Sequence, residues 1–362
     1  MAFYSTAVDI IRQRMARLVD DLILATVSSG STSTAILATS DPPKYRESND
    51  DYFNDHYYEA YCYEGSGIGQ SALATDWVNA THTLTLSPTQ SAAYDSTCKL
   101  ELHRLFSSGE YLNAINLACG LYSRKYLIDY KDETSITLVE GETNDGQTIY
   151  TYEYSLPTDM LYIHRVTKEG CVSGKKLTGT VSGAFTLGEK VTGGTSGATG
   201  ILSYGPSGST YILIREVSGS FEVGETATGS TSSETCSSIT AIDDEEVGNG
   251  KFEIEDIVDP RDYTIIKSYP PKIKFHEDYF SVTGDLRIRL EGQATQDSVS
   301  NDTDIIYLPP DEFVEVAVSY LPLPKIDSDK LVNIFNNCLA TRRLVMTRGS
   351  VPPRAGSKKV KE

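Results

Sequence analysis

Between residues 174 and 242 the chain repeats itself with a period of 36 residues. Val181-Ser-Gly-Ala-Phe-Thr-Leu-Gly-Glu-Lys-Val-Thr-Gly193 is matched by Val217-Ser-Gly-Ser-Phe-Glu-Val-Gly-Glu-Thr-Ala-Thr-Gly229, and when the match is carried on to Thr199 and Thr235, eleven of nineteen paired positions are identical. Phe185 corresponds to Phe221, Gly188 to Gly224 and Glu189 to Glu225. Self-similarity at a fixed period reports duplicated supersecondary units, none of which buries its apolar face alone. The segment is dense in Gly and Thr and lacks a helical period, so each unit is expected to be a β-hairpin or small β-roll. Ile201–Tyr204 and Tyr211–Arg215 supply strands between the copies. Gly/Ser-rich stretches flank the segment and strand-like runs resume at Lys251–Ile257, which predicts an inserted tandem β-repeat domain over 171–248.

Around this segment, helical and strand patterns alternate. Over 5–26, Val8, Ile11, Met15, Leu18, Val19 and Leu22 recur at helical spacing, with Ser5 or Thr6 as cap and Asp9 in the first turn. Arg12, Arg14 and Arg17 are expected on the solvated face of that helix. Residues 28–34, Ser-Ser-Gly-Ser-Thr-Ser-Thr, read as a flexible hinge. Short apolar runs at Ala35–Ala38, Tyr57–Tyr63, His82–Leu86 and Lys99–Leu102 lie between turn signals and predict a small β module. A second helix is expected over 107–128, capped by Ser107 or Ser108, with Leu112, Ile115, Ala118, Cys119 and Tyr122 as its apolar stripe. Strands follow over 148–166 and again over 251–321, where Asp285-Leu-Arg-Ile-Arg-Leu-Glu291 alternates as a half-buried strand with a charged face. A third helix, 327–347, is capped by Asp327 or Ser328 and presents Leu331, Ile334, Phe335, Cys338 and Leu339. The stretch 349–362, with Pro352, Pro353 and several lysines, has too little apolar surface to fold alone and is expected to be a free or docking tail.

The organisation expected is therefore an N-terminal helix over 1–26, a small β module over 27–106, a helix plus strands over 107–170, the repeat domain over 171–248, strands and a helix over 249–348, and a basic tail over 349–362. The fold class is α+β: predominantly β modules with about three amphipathic helices.

The local signatures of catalysis are missing. Gly65-Ser-Gly67-Ile-Gly69-Gln70 has its third Gly one place too early for a dinucleotide loop and suits a strand turn. No P-loop and no Gly-x-Ser-x-Gly nucleophile elbow occurs. The histidines at 56, 82, 103, 164 and 276 have no zinc-site spacing, and the cysteines at 62, 98, 119, 171, 236 and 338 contain no Cys-x-x-Cys, so they read as scattered, reduced, mostly buried thiols. Asp50-Asp51 and Asp243-Asp-Glu-Glu246 lack calcium-loop spacing and read as solvated surface turns. Tyr57, Tyr58, Tyr61 and Tyr63 cluster, and core or turn packing is the expectation for them. No catalytic residue, cofactor or metal is expected. There is no apolar run of membrane-spanning length, and the N-terminus has no uninterrupted apolar stretch, so neither a membrane partner nor a signal peptide is expected. The net charge of −18 repels DNA as a whole, yet a negative wall suits a channel through which a polyanion slides without sticking.

The repeat Phe185-Thr-Leu-Gly-Glu-Lys-Val-Thr-Gly-Gly-Thr-Ser-Gly-Ala-Thr-Gly200 and its echo at 221–235 resemble a β-module of tailed-bacteriophage neck, tail and fibre proteins. The wider plan also resembles phage head-to-tail connector (adaptor or neck) proteins: an N-terminal helix, a β insertion, a helix at 107–124, the Tyr-Ser-Leu-Pro strand at 154–157, a strand such as Leu286–Leu290, and a C-terminal helix with a basic tail. The resemblance implies a ring of copies, commonly twelvefold, under the portal, with a neighbouring neck or tail protein below and viral DNA passing through without sequence-specific contact. It places the chain in the virion, assembled in the host cytoplasm. Arg342, Arg343, Arg348, Arg354, Lys358, Lys359 and Lys361 are then the candidate residues for docking on the portal or a neighbour. The inserted repeat departs from the adaptor plan and leaves open which ring of the neck is meant. Two other readings compete: a tail fibre, baseplate or receptor-binding protein, and a carbohydrate-active enzyme with a repeat module. Three amphipathic helices without sustained heptads favour the connector over a fibre, and no paired-carboxylate motif can be placed for the enzyme.

Overall fold

The computed structural model describes residues 4–38, 49–123, 125–138, 152–276, 285–326, 328–349 and 352–360, together with the short strand pair β9 (Thr143–Asn144) and β10 (Gln147–Thr148). Strand makes up 39% of the chain and helix 21%, so the α+β, mainly β class stands. The chain divides into two compact units, Met1–Ile128 with Thr295–Pro352, and Asp129–Ala294 with Pro353–Glu362.

In the first unit β1 (Thr6–Ala7) leads into α1 (Val8–Leu18). The helix expected over 5–26 stops at Leu18, and Asp20 then takes a left-handed φ of 62°. Residues 23–26 are claimed by the sheet instead, because β2 (Ile23–Gly30) pairs on one side with β3 (Thr34–Leu37) and on the other with β7 (Lys99–His103). With β4 (Glu59–Glu64), β5 (Ser71–Val78) and β6 (Thr83–Ser87) these strands close a six-stranded barrel in the order β2-β3-β6-β5-β4-β7. Alternate residues point inward, among them Val27, Leu37, Cys62, Leu84, Leu86, Leu100 and Leu102. Trp77 fills the centre, and Phe53 of α2 (Tyr52–Asp55) meets it edge-on with ring centroids 5.0 Å apart. The expected hinge at 28–34 is instead the end of β2, a tight turn over 31–33 and the first residue of β3. Ser31 Oγ accepts from the backbone N–H groups of Ser33 and Thr34 at 3.2 and 3.1 Å, and a Cβ on Gly30 would lie 2.3 Å from the Thr34 carbonyl oxygen.

The helices of this unit share one apolar cluster built from Val8, Ile11, Met15, Tyr111, Ile115, Phe313 and Val316, among others. The helix α3 (Ser108–Tyr122) opens with a complete capping box: Ser107 accepts from the Glu110 N–H while Glu110 accepts from the Ser107 N–H. The strand β22 (Ile305–Ile306) pairs with β1. Helix α4 (Pro310–Val318) occupies residues expected to be strand. Pro at the first helical position with Asp311 and Glu312 in the first turn is a helix start that outweighs the β-branched content of Phe-Val-Glu-Val-Ala-Val. Helix α5 (Asp329–Thr347) is capped by Ser328, whose Oγ accepts from the Leu331 N–H at 3.3 Å; Asp327, the other expected cap, lies outside the described residues. Leu331, Phe335 and Cys338 are buried along it.

In the second unit β8 (Ile128–Thr137), β12 (Met160–Lys168), β21 (Arg287–Ala294) and β23 (Lys358–Lys359) form a sheet in the order β23-β12-β21-β8, while β11 (Glu153–Ser155), β19 (Tyr263–Ile266) and β20 (Lys272–Phe275) form another. Their common core includes Ile136, Met160, Ile163, Val166, Phe275, Ile288 and Leu290. The alternation expected over 285–291 is present: Ile288 and Leu290 point inward, and Arg287 and Arg289 reach Glu169 and Glu133 on the other face. The tail, expected to be free or docking, is in part a strand of this sheet. Tyr162 and Ile163 of β12 pair with Lys359 and Lys358, and Val360 is fully buried, because the edge of β12 offers a strand partner that the sequence of the tail does not reveal.

The strands β13 (Cys171–Val181), β14 (Lys190–Gly193), β15 (Thr199–Tyr204), β16 (Tyr211–Ser218), β17 (Ala227–Gly229) and β18 (Thr235–Gly248) close a second six-stranded barrel, in the order β13-β16-β15-β14-β17-β18. The two copies of the repeat do not form separate rolls; strands of both are interleaved in a single barrel, with Phe185, Val191, Leu202, Ile212, Ile214 and Phe221 in its core. The acidic run 243–246 is not a surface turn. It lies in β18 opposite Lys175 and Lys176 of β13, where Lys175 pairs with Asp244 at 2.6 Å and Lys176 with Glu245 at 3.6 Å.

Candidate functional site

The densest polar chemistry in the molecule is a buried charge cluster in the first unit. Arg12 was expected on the solvated face of α1, but it is 2% exposed. It sits four residues after Val8 and four before Ala16, within the buried stripe of the helix. Its guanidinium grips two carboxylates. Nε and one Nη donate to Glu101 at 2.6 and 3.1 Å, and both Nη groups donate to Asp302, one at 3.2 Å. Glu101 is on β7 between the inward Leu100 and Leu102, so it points to the outer face of the barrel, where the helices cover it. There it also accepts from Gln13 at 3.0 Å and lies 3.0 Å from His103 Nε2. Tyr61 stacks beneath Arg12, 4.3 Å from ring centroid to guanidinium, and donates its hydroxyl to Asp302 at 2.9 Å.

A third carboxylate completes the network. Asp21 accepts from the backbone N–H groups of Arg104, Leu105 and Phe106 at 2.7, 2.7 and 2.9 Å, and from the Tyr111 hydroxyl at 3.0 Å. Its own carbonyl oxygen is 2.9 Å from His103 Nδ1. Burial works to lower the pKa of His103, but the bond to Glu101, that residue's charge and the Asp21 carbonyl outweigh it and hold the imidazole above its ordinary value. Burial likewise works to raise Glu101, and the bonds from His103 and Arg12 hold it below the usual carboxylate range. Desolvation holds the Tyr61 hydroxyl well above its ordinary value.

A cavity of about 480 Å³ opens beside this cluster, lined by Arg12, Tyr61, Ile68, Ser108, Leu112 and the loop Ser300–Thr303. The Gly65–Gln70 segment on its rim is the strand turn expected, with left-handed φ at Gly65 and Gly69. The chemistry of the wall is largely spent. Glu101 accepts four hydrogen bonds, the full capacity of a carboxylate, and Asp302 accepts three. Four of the five guanidinium N–H groups of Arg12 are engaged. The arrangement fastens α1, β7 and the 300–304 loop to one another. Among the described residues no three His, Cys, Asp or Glu side chains are grouped to hold a metal ion. Nor is any described helix long and apolar enough to cross a membrane.

The cysteines are all free. Cys62 and Cys98, read as scattered, converge on Gly67, where a Cβ would lie 3.3 and 3.6 Å from their sulfurs; burial pushes the Cys62 thiol up to about 12. Of the tyrosine cluster, Tyr58 is buried as expected and Tyr57 is 80% exposed.

The six described basic residues among those singled out at the C-terminus divide between the two units. Arg342, Arg343 and Arg348 belong to the first unit, and Arg354, Lys358 and Lys359 to the second. Arg342 lies 3.9 Å over the Tyr320 ring, Arg348 pairs with Glu312 at 2.7 Å, and Arg354 pairs with Asp129 at 2.7 Å. Lys358 donates to the carbonyl oxygens of Pro260 and Tyr263 and lies 3.9 Å over the Tyr263 ring. Arg343 and Lys359 are exposed. Lys361 lies outside the described residues. Sequence reasoning missed the Arg12–Glu101–Asp302 cluster; the signal available for Arg12 was its position on the apolar stripe, whereas Glu101 and Asp302 carry no local mark.

Compared with models of protein families, with curated proteins and with solved structures, the chain matches none.

Proposed function

We propose that the chain is a structural component of a tailed-bacteriophage particle: a head-to-tail connector (adaptor or neck) ring protein that assembles with copies of itself, docks on the portal and surrounds the DNA exit channel of the virion. The observation that carries this reading is the pairing of two features. A Gly/Thr-rich repeat that resembles a phage virion module lies as a single barrel between β12 and β19, and the remaining chain has a helix, β module, helix and strand order that resembles the plan of the adaptors. The saturated hydrogen bonding of Glu101 supports a scaffold role over a catalytic one, since a general base needs a lone pair to offer. The charge of −18 supports passage of DNA without adhesion. Of the basic residues, Arg343 and Lys359 are the ones assigned to docking, because Arg342, Arg348, Arg354 and Lys358 are engaged within the chain.

A tail fibre or baseplate receptor-binding role is the second reading. It is favoured by Leu187 and Val223, which occupy equivalent turn tips of the two repeats and are 44% and 67% exposed, as a pair of contact points would be. The mass of the purified assembly separates the two. A ring near the twelvefold order of the resembled family supports the connector, a trimer supports the fibre, and a chain that stays monomeric with or without portal protein overturns both.

A further inference from the structure

At four of its six seams the register of the second barrel maps onto itself under the 36-residue shift, and the β13–β18 and β15–β16 seams depart from it at their bulges. In β14 and β17, Val191 pairs with Gly229, Thr192 with Thr228, and Gly193 with Ala227. Moving each residue to its counterpart in the other repeat turns the first pair into the third and leaves Thr192–Thr228 in place. The β13–β16 seam behaves the same way: Lys175 pairs with Ile214 and Thr178 with Tyr211, Lys176 with Leu213 and Leu177 with Ile212, and the shift exchanges the members of each couple of pairs. The hairpin β14–β15, with Val191 opposite Gly200 and Thr192 opposite Thr199, recurs as β17–β18, with Ala227 opposite Cys236 and Thr228 opposite Thr235. A pseudo-twofold axis therefore passes between Thr192 and Thr228.

The side chains obey the same axis. Glu189 accepts from the Thr186 N–H of its own turn at 2.8 Å, and from Thr231 N–H, Ser232 N–H and Ser232 Oγ of the other repeat at 2.7, 2.9 and 2.7 Å. Glu225 accepts from Glu222 N–H at 2.7 Å, and from Thr195 N–H, Ser196 N–H and Ser196 Oγ at 3.1, 3.0 and 2.9 Å. Every donor differs from its counterpart by the repeat period. The glycines opposite are fixed by the same contact: a Cβ on Gly229 would lie 2.7 Å from the Glu189 carboxylate, and one on Gly193 2.7 Å from that of Glu225. Both carboxylates are about 95% buried, at 5% and 4% exposure. A repeat by itself leaves a carboxylate without three of its donors and two open strand edges. An interface in which residue i meets j and j meets i is isologous, and it fits two identical parts as well as two linked ones.

We propose that the surface each repeat presents to the other is a self-complementary interface, and that its other fitting partner is the same repeat in a second copy of this chain. The barrel is a two-part assembly carried within one chain; reduced to a single repeat, the chain restores it by pairing with another copy. This inference is independent of the phage reading.

The test deletes Tyr211–Glu246 from the full chain, joining Thr210 to Val247, a junction the period equates with Glu246–Val247. In that variant residue 192 faces residue 192 of the second copy. Thr192→Cys then yields a covalent dimer on a non-reducing denaturing gel after mild diamide oxidation, while Thr186→Cys, off the axis, does not. In the intact chain Thr192→Cys gives no such dimer, and Thr192→Cys with Thr228→Cys loses two thiols without doubling in mass. A folded deletion variant in which Thr192→Cys cross-links no better than Thr186→Cys overturns the proposal. A second variant covers failure to fold: residues 211–246 are replaced by a copy of 175–210, giving two identical repeats. That chain is expected to keep the strand content and cooperative melting of the parent, and if neither variant folds the proposal is equally overturned.

Discussion

Both units hold a closed six-stranded antiparallel barrel, and the two are sealed by different means. The first, without a repeat, is filled by large unlike side chains such as Trp77, Tyr94, Phe53 and Leu84. Its outer face at β7 is sealed by charges that arrive from far along the chain, with Arg12 and Asp302 meeting Glu101. The second has a core of smaller residues, and each Glu anchor bonds the backbone of the opposite repeat. A chain that uses one solution twice closes its barrel with residues of the repeats themselves. A chain that does not repeat must recruit specific partners from outside the sheet. The first arrangement is therefore vulnerable at single residues, and the second distributes its dependence over two equivalent ones.

The largest break in this comparison is Arg12→Met. It leaves Glu101 and Asp302 buried without a counter-charge, a situation that costs about 3–5 kcal/mol. The single tryptophan, Trp77, lies in the first barrel, so its fluorescence reports that unit alone. The denaturant midpoint by fluorescence is expected to fall steeply; a shift worth less than about 1 kcal/mol would mean the cluster does not hold the unit together.

Next come Glu189→Ala and Glu225→Ala. Each strips its acceptor from four donors, for a cost of about 1–3 kcal/mol. The sharper expectation is equality: the two losses agree to within about 0.5 kcal/mol by circular dichroism, and the tryptophan transition stays put. Unequal losses would show that the pseudo-twofold register does not extend to energetics.

A pH series separates the barrels more gently. The folded pKa of His103 is raised above its ordinary value of 6.5, so its contribution is complete below that pH and is lost as pH rises through the folded value. Fluorescence-monitored stability is expected to decline on the alkaline side, and His103→Gln to flatten that decline. In Glu189 and Glu225 burial works to raise the pKa, but hydrogen bonds to Ser232 and Thr231 in one and to Ser196 and Glu222 in the other hold it below 4.5. Their contribution is complete above 4.5 and is lost as pH falls through the folded values. The repeat barrel should accordingly show no alkaline decline from these groups. Glu101 is also depressed, so the first unit weakens at acid pH as well.

The smallest effect belongs to Arg343→Glu and Lys359→Glu. Both residues are exposed, and either change is expected to move the midpoints by no more than about 0.5 kcal/mol. Under the connector reading their effect appears instead as loss of capture by purified portal protein in a pull-down; unchanged capture removes both residues from the docking role.

What could be read from the sequence follows from where the controlling interaction lies. Helix α3 was legible because Ser107 and Glu110 cap it locally and its apolar stripe is continuous. The strand over 285–291 was legible from its alternation. Strand β5, Ser71–Val78, was not, because Ala72, Ala74 and Asp76 have little strand preference and take that form through ladders to β4 and β6. The end of α1 was hidden for the same reason: Leu22 fits the helical period, and the competing pull on residues 23–26 comes from β7. The repeat was found at once, but its closure into one barrel depends on pairings between copies that no single copy encodes. In the candidate site Arg12 was misread by grouping it with Arg14 and Arg17 as charge alone, when its position on the helix put it among Val8, Ile11 and Met15.

The reach of Arg12 also sets an order of events during synthesis. Glu101 lies 89 residues from it and Asp302 lies 290. At roughly 5–20 residues per second, Asp302 follows Glu101 from the ribosome by about 10–40 s. In that interval the first barrel has its strands, and the entire repeat barrel is made, while the clamp on α1 lacks one jaw. The clamp on α1 is thus completed only after the strands of both barrels have been made. Protease treatment of stalled nascent chains is expected to cut near α1 in chains ending before the 300–304 loop has emerged, and to spare it in longer ones.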